Sequence, residues 1–207
     1  MSADPKDNLH ILTAEKGQES GRVHMVGIQK IVPNMLTLMA LIAAVTSVQM
    51  AINEKFDTAI LMLVAAAILD ILDGAAARAL KAQSAFGAQL DSLSDFLAFG
   101  VAPSLLLYVW TLDEAGKLGW IATVILPVAA ALRLARFNVA ALSPDDRPAW
   151  KKKYFSGVPA PAGCGLALLP AYIYQISPET FDVFSFATPL IALWTVIVAA
   201  LMVSRIP

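Results

Sequence analysis

A chain of 207 residues with 58% apolar and 15% charged residues, at a mean hydropathy of +0.67, has too many apolar stretches for a soluble domain of its size, and the lipid bilayer is its expected solvent. Its 15 basic and 16 acidic residues nearly cancel to a formal net charge of −1, which says little by itself beside where the charges sit; no nucleic-acid partner is expected. The single cysteine, Cys164, excludes a disulfide framework and a thiolate metal site.

Residues 1–28 form a polar arm. Its first 24 residues hold no apolar run of the kind a cleaved secretory signal needs. His10 and His24 lie in this arm and are read as solvent-exposed rather than metal-ligating. Residues 29–207 are read as one all-α domain of six transmembrane helices. The spans fall at about 31–52, 56–80, 89–111, 118–138, 160–177 and 184–204, each tested against the ~20 apolar residues that cross a bilayer. Gly100 and Pro103 interrupt the third span. The fifth opens in Ser156-Gly157-Val158-Pro159-Ala160-Pro161, where the helix is expected to start late or kink.

With six spans, 13 of the 15 basic residues fall on the side of the N-terminus: Lys6, Lys16, Arg22, Lys30, Arg78, Lys81, Arg133, Arg136, Arg147, Lys151, Lys152, Lys153 and Arg205. Only Lys55 and Lys117 fall opposite. The positive-inside rule then predicts that both termini face the cytoplasm, in the cell membrane.

The second and third spans carry acids that are costly at membrane depth: Asp70-x2-Asp73-Gly74-x2-Ala77-Arg78-x8-Gly87-x3-Asp91-x3-Asp95. At 100° per residue, Asp70, Asp73, Gly74, Ala77 and Arg78 lie at about 0°, 300°, 40°, 340° and 80°, on one face of the second helix. On the third, Gly87, Asp91, Ser94 and Asp95 lie at about 0°, 40°, 340° and 80°. The connector from Leu80 to Phe86 is short, so the helices should be antiparallel neighbours whose polar stripes meet in a cavity open to the cytoplasm.

Four converging carboxylates repel one another unless a cation lies between them. Oxygen ligands without His or Cys favour Mg²⁺ or Mn²⁺, and four acids can hold two such ions. A metal pair is a known means of binding pyrophosphate and stabilising in-line phosphoryl transfer. Gly74 and Ala77 leave room for a phosphate or nucleotide, and Arg78 offers a forked phosphate donor. A buried ion pair would suffice for one isolated acid, but four acids beside one arginine leave charge uncompensated. Small residues such as Ala65, Ala66 and Ala67 are read first as helix-packing positions. A cation channel or transporter is the competing reading, and it requires a polar path to the outer face.

The acidic pattern, with eight fixed positions matched from Asp70 to Asp95, resembles the signature of the CDP-alcohol phosphotransferases, membrane enzymes with a six-helix core. The resemblance implies that an acceptor hydroxyl displaces CMP from a CDP-linked lipid or alcohol with the help of two divalent metals. It assigns Asp70, Asp73, Asp91 and Asp95 to the metals and makes Asp95 the general base. Asn34 and Thr37, in Pro33-Asn34-x2-Thr37, together with Gly74, Ala77, Arg78, Ser84 and Gly87, would line the pocket for the CDP group.

Three further stretches resemble segments of the membrane-bound phosphatidylserine synthases within that family: Asp95–Pro103, Arg133–Val139 and Phe155–Pro161. The tail Met202–Pro207 also fits. The implied donor is CDP-diacylglycerol, the implied acceptor L-serine, and the family suggests a homodimer among membrane lipids. Glycerol phosphate, inositol phosphate and choline are the alternative acceptors. Arg133 and Arg136, three residues apart, are placed to present two cations to a phosphate or a carboxylate, and Asn138 to hydrogen-bond a zwitterion. The competing reading of the arginines is as snorkelling anchors. Arg147 and Lys151–Lys153 are read as meeting anionic headgroups.

Overall fold

The computed structural model describes residues 31–142, 157–177 and 187–204, with side chains at 141 and 142 left out. The arm 1–28, the basic group Arg147 and Lys151–Lys153, Phe155, Ser156 and Arg205 lie outside the described residues. Every regular element among those described is helical. In chain order they are α1 (Ile31–Ile52), α2 (Phe56–Ala79) and α3 (Ala85–Phe96). A π turn (Leu97–Val101) joins α3 to α4 (Ala102–Trp110), and a 3-10 turn (Leu112–Ala115) leads to α5 (Lys117–Leu142). Then follow α6 (Ala160–Ala167), α7 (Leu169–Ile176) and α8 (Ala187–Val203).

Four stretches are long and apolar enough to cross a membrane: Ile31–Ile52, Phe56–Ala79, the continuous run Ala85–Trp110, and Lys117–Ala140. They coincide with the first four expected spans. The third begins earlier than expected because Ser84 caps it, its hydroxyl accepting the Gly87 N–H at 3.0 Å. Gly100 and Pro103 do not break that span, since a π turn takes up the irregularity and Pro103 sits at the start of α4.

The region of the expected fifth span, 160–177, is two eight-residue helices, α6 and α7. Pro170 explains the break: it has no N–H to offer the Leu166 carbonyl four residues back. That carbonyl instead accepts the indole N–H of Trp194 on α8 at 2.7 Å. Helix α8 is an apolar 17-residue helix.

A seam of small residues brings α1 alongside α2. Thr37, Ala40, Ala44, Ser47 and Ala51 recur at alternating intervals of three and four, and each is 5% exposed or less. Ala59, Leu63, Ala66 and Asp73 form the buried row of α2. Residues of this size let helix backbones approach. The Ser47 hydroxyl crosses the seam to the Ala59 carbonyl at 2.7 Å.

Both helices end in the same way. After α2, the Ala82 N–H bonds to the Ala77 carbonyl at 2.9 Å and the Lys81 N–H to the Arg78 carbonyl at 3.2 Å. Lys81 takes a left-handed φ of 50°. After α1, Lys55 bonds to Met50 and Glu54 to Ala51, both at 2.9 Å, with Glu54 at φ 60°. These pairs of bonds are Schellman caps, and they fold each chain segment sharply back along its predecessor.

Phe99, Leu106, Leu107, Leu112, Leu126, Leu168 and Met202 are the large side chains fully enclosed in the core. Span three lies close against α5 at Gly100, where a Cβ would come within 2.9 Å of the Ala130 Cβ. Large apolar residues such as Ile42, Ile71, Leu93, Leu118 and Ile176 face outward, which suits a helix in contact with lipid rather than water.

Candidate active site

Asp70 leaves α2 while Asp91 and Asp95 leave α3 one turn apart, and one carboxylate oxygen from each lies within 4.8 Å of the others. All three side chains are half-buried. Three carboxylates at this separation are relieved either by retained protons or by a cation. The donor set is oxygen alone, and one oxygen of Asp95 is buried without a hydrogen-bond partner. A hard divalent cation fits these residues.

Asp73 does not join this group. It belongs to the α1–α2 seam, one turn beyond Asp70 and rotated by about 60° from it, so α2 offers Asp70 toward α3 and Asp73 toward α1. There it is 4% exposed, with the Thr37 hydroxyl as its side-chain hydrogen-bond neighbour. Its Oδ2 is buried without a partner. Three of the four acids thus meet within 4.8 Å, and the fourth, Asp73, shares an adjoining cavity with Asp91.

Beside Asp73 a cavity of about 340 Å³ opens, and Asn34, Thr37, Gly74, Ala77, Arg78, Ser84 and Gly87 all line it, with Asp73 and Asp91 among the walls. All seven positions that the resemblance assigns to a CDP pocket therefore share one cavity. The backbone explains why. The cap after α2 and the Ser84 cap of α3 bring Arg78, Ser84 and Gly87 to the same rim, and the head of α1 closes the other side. Gly87 lies so near α1 that a Cβ there would stand 3.1 Å from both Asn34 Oδ1 and Ser84 Oγ.

The segment Arg133–Asn138 distributes its polar groups over three neighbours. Arg133 is half-buried and within electrostatic reach of Asp95, and its Nε has no hydrogen-bond partner. Arg136 turns away, its guanidinium donating to the Val203 carbonyl at the end of α8 at 2.7 Å. Asn138 Nδ2 donates to the Ser92 hydroxyl on α3 at 3.1 Å. The two arginines thus do not form one cationic pair. Three residues apart they stand about 60° apart around α5 and nearly one turn along it, enough for each long side chain to meet a different helix. Ser92, between the acids in the sequence, did not emerge from the reading of the polar stripe, because its importance lies in a partner 46 residues away.

Gly157 is the described part of the Phe155–Pro161 stretch that touches this end of the bundle. It has φ 79°, and a Cβ there would lie 2.8 Å from the Met202 carbonyl. The Val158 N–H points to the Leu201 carbonyl at 3.4 Å. Arg136, Gly157 and Val158 together gather around the C-terminal carbonyls of α8. Beyond the acids the interior is filled by Phe99, Leu106 and Leu107, an arrangement that gives the transporter reading no support.

Residues 30–204 match the model of a family described as CDP-alcohol phosphatidyltransferase. A CDP-diacylglycerol–serine O-phosphatidyltransferase of Mycobacterium leprae is 38% identical over 179 residues, covering 86% of this chain and 58% of that protein. The protein of the same name from Mycobacterium tuberculosis is 43% identical over 135 residues, 65% of this chain and 46% of the relative. The one from Bacillus subtilis is 31% identical over 176 residues, 84% of this chain and 88% of the relative. The chain thus spans about half the length of the mycobacterial relatives and most of the length of the bacillar one. An acid trio beside a cavity lined by the signature's small residues and arginine, within a family match over most of the chain, shows that this protein belongs to the CDP-alcohol phosphatidyltransferases.

Proposed function

We propose that this protein transfers the phosphatidyl group of CDP-diacylglycerol to L-serine, yielding phosphatidylserine and CMP. The observation that carries the reading is the meeting of three carboxylate oxygens within 4.8 Å at the edge of the cavity that holds Arg78, Gly74 and Asn34. The names of the relatives support serine as the acceptor.

In this reading the CDP group occupies the cavity, with Arg78 donating to its phosphates and Gly74, Ala77 and Gly87 leaving room for its approach. Asp70, Asp91 and Asp95, with Asp73 on the adjoining cavity wall beside Asp91, would hold two divalent cations, Mg²⁺ or Mn²⁺, whose charge would neutralise the pyrophosphate and stabilise the charge that develops on it. Asp95 takes the proton of the serine hydroxyl. The serine oxygen forms a bond to the lipid-bearing phosphorus as the bond from that phosphorus to the CMP oxygen breaks, and CMP leaves with the electron pair. Arg133, with an unpaired nitrogen near Asp95, receives the serine carboxylate. The acyl chains extend sideways between helices into lipid.

The same reading takes residues 29–207 as one six-span domain, counting α6–α7 and α8 as the last two spans. The arm 1–28, both termini and the cavity mouth face the cytoplasm, on the strength of the basic-residue asymmetry. The enzyme is a homodimer in the cell membrane. The test is CMP release from CDP-diacylglycerol by purified protein with Mg²⁺ or Mn²⁺, offering L-serine, glycerol 3-phosphate, inositol phosphate and choline in parallel. Serine-dependent release that a chelator abolishes is the expected result. Release with another acceptor alone would move the acceptor assignment, and release with none would overturn the reading.

A further inference from the structure

Helix α3 is held from two sides by serine hydroxyls. On one side Ser94, 3% exposed, donates to the Thr37 carbonyl of α1 at 3.3 Å. On the other, Asn138 of α5 donates its amide to Ser92 at 3.1 Å. The Ser92 hydroxyl has the Ala88 carbonyl at 3.0 Å to receive its own proton, so it is satisfied both as acceptor and as donor. At 100° per residue, Ser94, Asp91, Asp95 and Ser92 lie at about 300°, 0°, 40° and 100° around α3. The two acids are bracketed by the two hydroxyls.

We infer that Ser92 and Asn138 are positioning residues that, together with Ser94, fix the rotation of α3 and hence the approach of Asp91 and Asp95 to Asp70. The lever arm makes this matter. Side-chain tips lie roughly 5–6 Å from a helix axis, so a rotation of about 10° displaces a carboxylate by ~1 Å. A misplacement of that size can cost about a hundredfold in rate. Leu93, between the two serines, faces outward and gives α3 no grip on either neighbour. An alanine at 92 would leave the Asn138 amide without this partner, so the matched pair ties α3 to α5. Asn138 thereby has a duty distinct from contact with the acceptor.

The inference rests on the metal-dependent reading of the trio, and its test separates the two. Mn²⁺ affinity, followed by electron paramagnetic resonance of the free ion, and the separate kcat and KM values of CMP release would be measured on the full chain in detergent. The variants are Ser92→Ala, Asn138→Ala, their double and Ser92→Thr, with the metal-free melting temperature recorded for each. Loss of a group that orients metal ligands should weaken Mn²⁺ binding about tenfold. In Ser92→Ala and Asn138→Ala, kcat should fall by about ten- to a hundredfold, with KM for serine and lipid within about twofold. Ser92→Thr should recover most of both losses, and the double variant should be no worse than the weaker single. Unaltered Mn²⁺ affinity in variants that still melt like the parent would overturn the inference, as would a rise in serine KM alone in Asn138→Ala. A parent protein that binds Mn²⁺ yet releases no CMP would sink the transferase reading, while the Mn²⁺ series would still decide the clamp.

Discussion

The indole N–H of Trp194 donates at 2.7 Å to the carbonyl of Leu166, the acceptor that Pro170 leaves without its helical partner. An unpaired carbonyl in a membrane bundle has no water to turn to, and the tryptophan closes that deficit from a neighbouring helix. Replacing Trp194 by phenylalanine removes the donor and keeps an aromatic side chain, though a smaller one. The expected outcome is a loss of about 1–2 kcal/mol in stability, with transfer activity retained at permissive temperature. Reversible unfolding in mixed micelles measures it, and an unchanged midpoint would mean that the contact is immaterial.

Arg133 and Arg136 should separate cleanly on mutation. Arg136 holds the last carbonyls of α8, so Arg136→Ala is expected to lower the melting temperature and leave the serine requirement unaltered. Arg133→Ala should raise the serine requirement by about tenfold or more, with little effect on the lipid requirement. Serine saturation curves for both variants decide the matter, and equal behaviour would return both arginines to an anchoring role.

Asp95→Asn removes the base without removing bulk. Turnover should fall by at least about a hundredfold, while binding of CDP-diacylglycerol, read by equilibrium dialysis, persists. Turnover near that of the parent would exclude Asp95 as the base.

Gly87→Ala places a methyl group 3.1 Å from Asn34 Oδ1 and from Ser84 Oγ. Either the head of α1 or the cap of α3 must give way, and both border the cavity. The KM for CDP-diacylglycerol should rise several-fold, by about 1 kcal/mol in binding, with no change in the serine KM. A serine-specific effect would contradict the assignment of this wall to the CDP group.

The all-helical character and the first four long apolar segments were legible because bilayer thickness imposes a length on every crossing element, a constraint readable residue by residue. The cavity wall was equally legible, since Gly74, Ala77, Arg78 and Gly87 obey helical periodicity and a short connector. What escaped depends on contacts across the chain. Asp73 shares a helix face with Asp70, and its contact with Thr37 of α1 depends on where that helix packs. Arg136 and Asn138 find Val203 and Ser92, partners that no local pattern names. The broken helix at 168–170 had a visible cause in Pro170, but its remedy in Trp194 was invisible.

The π turn at Leu97–Val101 immediately follows the last acid. A turn of this kind carries one residue more than an α-helix needs, which offsets the angular phase of what lies before it from what lies after by about 100°. The half of the span before the turn can therefore face its acids toward Asp70 while the half after it presents Leu106 and Leu107 to the core. One helix serves two phase requirements that an unbroken α-helix would have to reconcile by compromise. The register of the acids and the register of the core packing are in this way uncoupled.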